Sequence, residues 1–385
     1  MEVKTLVKSF LLFSCSLFIG HSSQAQLSND SLEYRIRPDS LKTGELHLSI
    51  FNFNFQRNYE YFNKIQDGYT LFGTQIEPQL VYYPHPQLAL TAGIHLRKDY
   101  GSRGIFKTYP LFSIKYKKGN STLINGVLEG NIHHRFIEPI FDFEKTITEP
   151  VEYGTQYLIE KRSFFFDAFI NWKKMIYKPS PEQEEVFGGI STEINLTQTP
   201  KMKISVPIQF TAYHQGGQID TVEAPLKTWV NTALGIKFHL PSAGFISKIR
   251  LENYLLTFNE YSPTKVLPFS KGYGLFLNAG VDTRYGTLIG SYWSGNSYVS
   301  FTGMPIYQSI SQQINHNGFT QKNRGIIFLR YAYQKQLIPN LYLDFRFEPL
   351  MNINAGKSKI EFSNSSFLTY KSQFLLIRKK NSSEY

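Results

Sequence analysis

The residues best suited to chemistry are charged side chains that alternate with apolar ones. Asp344, Arg346 and Glu348 are separated by single apolar residues, and Lys248 and Arg250 have the same spacing. Successive side chains of a β-strand point to opposite faces, so each run presents its charges on one face. We expect that face to border water. The candidates for this polar face are Arg97, Lys248, Arg250, Asp344, Arg346 and Glu348.

Two uses of these charges are open. They could line a constriction and set a transverse electric field across it. They could also form a salt-bridge network that stiffens or plugs the interior of the protein. The sequence does not give the distance between the two charged segments, so it does not decide between the two.

A second group of polar and aromatic residues lies outside the alternating segments. Aromatic, amide and glycine residues together suit stacking and hydrogen bonding to sugars, and they also suit a loop that folds inward. For 295–324 we favour inward folding, because its apolar residues, Val299 and Ile306 among them, prefer burial. The recognition candidates are His133, Arg135, Glu138, His214, Gln218, Asp220, Trp293 and Tyr298.

Catalytic and metal-binding patterns are absent from the sequence. There is no HExxH and no GxSxG, and His133 and His134 would point to opposite faces of a continuing strand. The outward positions of the strands look nearly all apolar, with no histidine beside a serine. Cys15 is the single cysteine, which removes disulfide scaffolds and cysteine nucleophiles. We therefore predict no enzymatic activity, no metal site and no cofactor.

The hairpin at 72–98 shows the elements that position these residues. Leu88, Leu90 and Ile94 fall on one face, with Leu90 expected near the membrane midplane, and His95 and Arg97 fall on the other. The link at 84–87 is short enough only for an antiparallel turn.

This alternation recurs along the whole chain. Seven short turns interleave with eight longer segments, which predicts about sixteen strands, with a range of 14–18. Short turns at one end and long loops at the other are typical of an up-and-down transmembrane β-barrel with periplasmic turns and extracellular loops. The apolar pattern changes phase midway through the first and eleventh strands, which suggests bulges or a change of face at the rim of the barrel. The predicted organisation is all-β, with a barrel over 45–377.

The N-terminus reads as an export signal. Lys4 and Lys8 precede an apolar run over 9–20 and a small-residue cleavage site ending at Ala25. We predict a signal peptide over 1–25, a periplasmic segment over 26–44 and a basic tail over 378–385. A lipoprotein signal ending at Cys15 is a weaker alternative.

Together, the signal, the alternating strands and the sorted connections resemble the porin-type outer-membrane β-barrels of Gram-negative bacteria. The Ala25–Gln26 junction and the abundance of Lys, Asn, Tyr and Phe are similar to exported Bacteroidota proteins. The resemblance implies an outer-membrane location and a porin-like channel for passive diffusion of small polar solutes. It supplies no motif that identifies a solute.

Two other functions remain as alternatives. One is a plugged barrel that binds a surface glycan or a partner lipoprotein through its loops. The other is a soluble, secreted, two-domain β protein. The expected partners are outer-membrane lipid, a surface lipoprotein or glycan, and further copies of the chain. The net charge of +11 suits anionic lipid headgroups at the barrel rim, and an exported barrel is not expected to bind nucleic acid.

Overall fold

The computed structural model describes residues 27, 29–354 and 360–378. The predicted signal peptide and all of the predicted tail after Arg378 lie outside this range. Sixteen strands are present in the described residues. They are β1 Leu46–Glu60, β2 Thr70–His85, β3 Leu88–Asp99, β4 Lys107–Lys118, β5 Ser121–Val127, β6 Tyr153–Lys161, β7 Phe164–Lys174, β8 Glu185–Gln198, β9 Lys203–Gln215, β10 Lys227–Pro241, β11 Ile246–Glu260, β12 Lys271–Thr283, β13 Gly286–Asn296, β14 Asn323–Ile338, β15 Leu341–Asn352 and β16 Ile360–Ile377.

The strands form one closed antiparallel barrel. Each strand pairs with its sequence neighbours, and β1 closes the barrel by pairing with β16. The only α-helix of the described residues is α1, Lys145–Thr148, within a loop. No helix in the described range is long and apolar enough to cross a membrane. The predicted all-β barrel of about sixteen strands is confirmed.

The connections are sorted by length, as the sequence indicated. Two-residue turns join β2 to β3 and β14 to β15, whereas residues 128–152 and 297–322 form the longest connections of the opposite end. Outward aromatic residues mark both ends of the wall. Tyr82 and Tyr116 lie toward the short-turn end, and Trp172 and Tyr273 toward the long-loop end. This arrangement fits two lipid–water interfaces.

The phase change in β1 is not a bulge. Its pairing with β2 is continuous, and its pairing with β16 shifts only at Leu46/His47. Inward and outward positions keep alternating along β1. The apolar residues, however, lie on the outward face in the first half of the strand and on the inward face in the second half. In the second half Phe53 and Phe55 point inward, whereas Asn52 and Asn54 point outward. In β11, likewise, the shift is confined to the first residues of the strand, at Ile246/Lys248.

The inside of the barrel is filled by loops of the chain itself. Tyr298, Ile306 and Tyr307, all from the connection 297–322, are 0% exposed and belong to one hydrophobic cluster with inward strand residues. Tyr307 packs against Phe328 at 5.4 Å between ring centroids. The connection 128–152 joins the same cluster through residues such as Ile140. The lumen therefore has a hydrophobic core in its long-loop half.

The predicted N-terminal segment enters the barrel at the short-turn end. Leu32 and Ile36 are buried against inward strand residues, and the Tyr34 ring stacks on Phe51 at 5.6 Å. Lys371 of β16 donates to the backbone carbonyl oxygens of Asp30 and Glu33, each at 2.8 Å. The segment thus packs inside the mouth of the barrel.

Candidate functional site

The charged lumen candidates are paired with one another or with close neighbours. Lys248 and Arg250 both contact Asp282, at 3.6 Å and 3.0 Å. A quarter of the way around the barrel, Arg346 contacts Asp344 at 3.0 Å and the side chain of Asn29 at 2.8 Å. The two groups lie on β11 and β15, which are four strands apart. They do not share a constriction, and the geometry favours a salt-bridge network.

The remaining lumen candidates serve the same network. Arg97 donates to Asp99 at 2.7 Å and to the carbonyl oxygen of Ile147 at 2.7 Å. Glu348 lies 3.5 Å from Arg57 and 3.4 Å from Arg330. The bond from Arg97 to Ile147 fastens the loop 128–152 to the wall, whereas the other pairs join residues of the wall to one another.

The loop candidates divide into inward and outward groups. His133 accepts a hydrogen bond from Arg35 at 3.1 Å, Arg135 stacks on Phe165 at 3.7 Å, and Glu138 contacts Arg330 at 2.6 Å. Trp293 and Tyr298 are fully buried, so neither is available at the surface. The outward group comprises His214, Gln218 and Asp220.

One part of the wall is incomplete. β5 has seven residues, whereas its neighbour β4 has twelve. Pairing between them ends at Ser113 with Gly126, so residues 107–112 of β4 are paired only with β3. At about 3.3 Å per residue, this leaves a gap about 20 Å long in the long-loop half. We call this gap, between residues 107–112 and the start of β6, the notch.

Local sequence explains how the notch forms. Gly126 has φ +105°, and a Cβ there would lie 2.2 Å from the Phe112 carbonyl oxygen, so only glycine fits. Pro110 lies on the open edge of β4 and has no N–H to leave unpaired. The Tyr153 hydroxyl crosses the notch and donates to the Pro110 carbonyl at 2.8 Å. The notch is thus bridged by a side chain and lacks strand pairing.

A cleft of about 360 Å³ leads through the notch to the interior. Its lining includes the outward residues Trp172 and Tyr153 together with the inward residues Tyr109 and Asn171. A lining drawn from both faces means that the cleft passes through the wall. A lipid chain beside the barrel could therefore reach the interior sideways.

The mouth of the cleft carries charge. Glu149 lies between Lys145, at 2.7 Å, and Lys173, which also donates to it. Burial alone would raise the pKa of Glu149, but the two ammonium groups outweigh it and lower that pKa to about 2. The lining of the cleft thus holds two ammonium groups and the carboxylates of Glu149 and Glu152, and Glu152 is paired with His134.

A buried histidine fixes the loop beneath this mouth. His134 contacts Asp167 at 2.7 Å and Glu152 at 3.2 Å, and its ring stacks on Phe169 at 3.7 Å. Burial alone would lower the pKa of this loop residue, but the two carboxylates outweigh it and raise the pKa to about 10. His134 is therefore an imidazolium with both nitrogens engaged, which suits anchoring and not base catalysis.

A second cavity, of about 120 Å³, lies deeper in the lumen. Asn131 and Val151 line both this cavity and the cleft, so the two spaces adjoin. Glu77 also lines the cavity, and its carboxylate lies 2.8 Å from Nδ1 of His95. A carboxylate at Nδ1 places the ring proton there and leaves Nε2 as an acceptor.

The other nitrogen of this histidine is free. His95 is 0% exposed, and Nε2 has no hydrogen-bond partner within the described part of the chain. A buried imidazole oriented by a carboxylate, with an unpaired nitrogen, has the arrangement of a general base. Lys115 lines the same cavity and supplies a cation 3.6 Å from Glu129. Among the described residues, no group of three or more acidic, histidine or cysteine side chains could hold a metal ion.

Comparison with known proteins shows the family of this chain. The model of the Lipid A 3'-O-deacylase-type family matches residues 36–379. The chain belongs to this family. Comparison with curated protein sequences gave no match.

Solved structures agree on the fold of this family member. OprD from Pseudomonas aeruginosa superposes with a TM-score of 0.51 at 9% identity, over 89% of this chain and 98% of that chain. A loop-deletion mutant of OmpT from Vibrio cholerae gives a TM-score of 0.51 at 10% identity, over 85% and 100%. Such low identities support the barrel fold alone. The chain is an outer-membrane β-barrel protein.

The prediction that the chain is not an enzyme is wrong, because its family is named for a deacylase. That prediction rested on motif searches and on an apolar outer surface. The outer surface is in fact not uniformly apolar, since Asn52, Asn54 and His214 point outward.

The pattern of a single sequence does not reveal these site residues, for identifiable reasons. Alternation puts Glu77 and His95 on the polar faces of their strands, but nothing in a single sequence marks them as partners across two strands. Lys145, Glu149 and Lys173 lie around a gap that depends on the short β5. The available signal was Gly126 followed by a connection of 25 residues, 128–152, which is long for a barrel loop that is not functional.

Proposed function

We propose that this protein is an outer-membrane esterase that removes an acyl chain from a lipid A-type lipid of the outer leaflet. The substrate would enter sideways through the notch between β4 and β6. The cleft through the wall carries this proposal, because it joins the lipid-facing surface to a cavity lined by Glu77, the carboxylate that orients His95. The family match is its second support.

The interior residues provide a mechanism for ester hydrolysis. Nε2 of His95 would accept a proton from water as the water oxygen attacks the ester carbonyl, while Glu77 stabilises the resulting imidazolium. Collapse of the tetrahedral intermediate breaks the bond to the alkoxy oxygen, which takes the proton back from His95. The products are a carboxylic acid and the deacylated lipid alcohol.

Diffusion of small polar solutes, the first interpretation of the sequence, has weaker support. A diffusion pore needs a continuous water-filled path, and here Tyr298, Ile306 and Tyr307 fill the lumen. The N-terminal segment occupies the other mouth. Because the lumen is filled, a substrate can reach the protein only at the outer wall and through the notch.

Mass spectrometry of extracted lipid A tests the proposal. Membranes containing the wild-type protein should yield lipid A lighter by one acyl chain, and His95→Ala should leave the lipid intact. The matched control is His214→Ala, which removes an outward histidine of β9 that does not line the cleft and should keep full activity. Intact lipid A with the wild-type protein would contradict the esterase. Loss of activity in His214→Ala but not in His95→Ala would show that the site does not contain His95.

A further inference from the structure

The outward face of β1 carries an uninterrupted row of polar side chains. Five consecutive outward positions hold amides or a carboxylate, and the neighbouring strands β2 and β16 add hydroxyls and another amide. We call this surface the polar stripe. Its members are Asn52, Asn54, Gln56, Asn58, Glu60, Thr70, Thr74, Asn364 and Ser366.

Part of the polar stripe lies at the depth of hydrocarbon. Leu46 pairs with Tyr82 in the aromatic belt of the short-turn end. Each residue adds about 2.5 Å of height in a strand tilted by about 40°. Asn52 and Asn54 therefore lie about 15–20 Å above that belt, inside an apolar band about 25 Å tall. Glu60 lies beyond the band, at the extracellular rim.

The stripe is internally ordered. Asn52 donates to the Thr74 hydroxyl at 3.0 Å and to the Gln75 carbonyl at 2.9 Å. Asn54 donates to Asn52 Oδ1 at 2.7 Å, and Gln56 donates to Asn364 Oδ1 at 3.2 Å. These bonds use the amide donors within the stripe, but each amide oxygen has a second lone pair. The surface remains polar and is costly to expose to lipid chains.

We propose that the polar stripe is the contact surface between two copies of this barrel in the outer membrane. A two-fold axis perpendicular to the membrane keeps every residue at its own depth, so the stripe of one copy meets the stripe of the other. Amides carry both donors and acceptors and are therefore complementary to themselves. Polar side chains commonly associate membrane segments in this way.

Charge argues against an anionic lipid headgroup as the occupant. None of the nine side chains is basic, and Glu60 at the rim repels phosphate. Lys98, on the next strand along, donates to the Gly104 carbonyl at 2.6 Å, so its amine is engaged by its own loop. A neutral stripe with one carboxylate thus fits a second protein surface better than lipid A phosphates.

The area of the polar stripe is large enough to form the centre of an interface between two proteins. Three strands about 4.8 Å apart and eight residue steps of about 3.3 Å cover roughly 400 Å², half of the ~800 Å² per partner in a standard interface. Phe345 and Phe347 lie on the flanking β15, both 41% exposed. They would supply an apolar rim.

Cysteine cross-linking tests the contact directly. With Cys15→Ser as background, Asn54→Cys should form a disulfide-linked dimer on oxidation in isolated outer membranes. Leu234→Cys is the matched control, because Leu234 is an outward residue of β10, on the far side of the barrel. It should remain monomeric under the same conditions.

Native mass spectrometry gives the second test. The wild-type protein in mild detergent should appear at twice the monomer mass, and Asn52→Leu/Asn54→Leu should shift it to the monomer with unchanged heat-modifiable gel mobility. A monomeric wild type, with or without bound lipid, would overturn the proposal. So would equal cross-linking of Leu234→Cys, or an Asn54→Cys adduct with a different polypeptide. None of these outcomes depends on esterase activity.

Discussion

Ile94 and Leu90 share the outward face of β3 but lie at different depths. Leu90 pairs with Tyr82 in the aromatic belt, whereas Ile94 lies four residues further toward the extracellular end. The expected midplane position of Leu90 is therefore wrong, because Leu90 is only the third residue of β3 and lies beside the aromatic belt of the short-turn end.

This difference predicts a depth-dependent cost of charge. Ile94→Arg should lower the free energy of unfolding by about 2–4 kcal/mol, because it places a cation in hydrocarbon, whereas Leu90→Arg should cost about 0–1 kcal/mol. Urea titration of the protein folded into lipid vesicles measures both values. Equal costs for the two variants would show that the assigned membrane level is wrong.

His134 predicts a pH dependence in the loop 128–152. The folded-state pKa of about 10 lies above the unfolded value of about 6.5. The stabilisation is therefore complete below about pH 6.5 and is lost as the pH rises toward 10. Thermal unfolding of the wild type should show a decline across this interval that His134→Gln does not show. An identical pH profile for both proteins would mean that the imidazolium does not anchor the loop.

Residue types on the lumen face were predictable from the sequence, but their partners were not. Alternation alone assigned Arg250, Asp344 and Arg346 to the interior, where the structure places them. Whether Arg250 would meet Asp344 or Asp282 depends on strand order around the barrel and on register. A single sequence carries neither, so the proposed constriction could not be distinguished from a salt-bridge network.

At the scale of elements, one hydrogen bond spans the notch, from the Tyr153 hydroxyl to the Pro110 carbonyl on the unpaired edge of β4. Tyr153→Phe would leave the Pro110 carbonyl without this donor at the depth of the outer leaflet, which should cost about 1–3 kcal/mol. Tyr157→Phe is the matched control. Tyr157 is outward on the same strand, and its hydroxyl donates at 3.2 Å to Ser121, where strands pair on both sides.

Urea unfolding of the two variants measures this difference. Tyr157→Phe should change stability by about 0.5 kcal/mol or less, as surface substitutions usually do. If Tyr153→Phe were equally neutral, the open edge of β4 would be satisfied by water, and the tyrosine bridge would have no structural role. The alternation of apolar residues predicts that β5 exists. It does not predict that β5 ends early, at Val127, because that end depends on the backbone geometry of Gly126, which only the folded structure shows.

At the scale of the whole molecule, the barrel encloses its own loops in place of water. Its strand number alone would leave an aqueous channel. Hydrophobic residues such as Ile306 in the connection 297–322 fill that space. The sequence identified this segment as apolar enough to fold inward, and the structure confirms its burial. It could not show that a second loop and the N-terminal segment enter as well.

The filled lumen predicts that the wild-type barrel does not conduct ions. The wild-type protein in a planar bilayer should give no discrete conductance steps, because no continuous water path crosses the core. Deletion of residues 299–318 removes the largest part of that core and should produce steps. The control is deletion of 101–105, an exposed loop outside the lumen, which should leave the barrel silent. Heat-modifiable gel mobility must show that both variants are folded. Steps in the wild type of the same size as in the 299–318 deletion would mean that solutes pass beside the loops, and diffusion would then regain its place as the primary function.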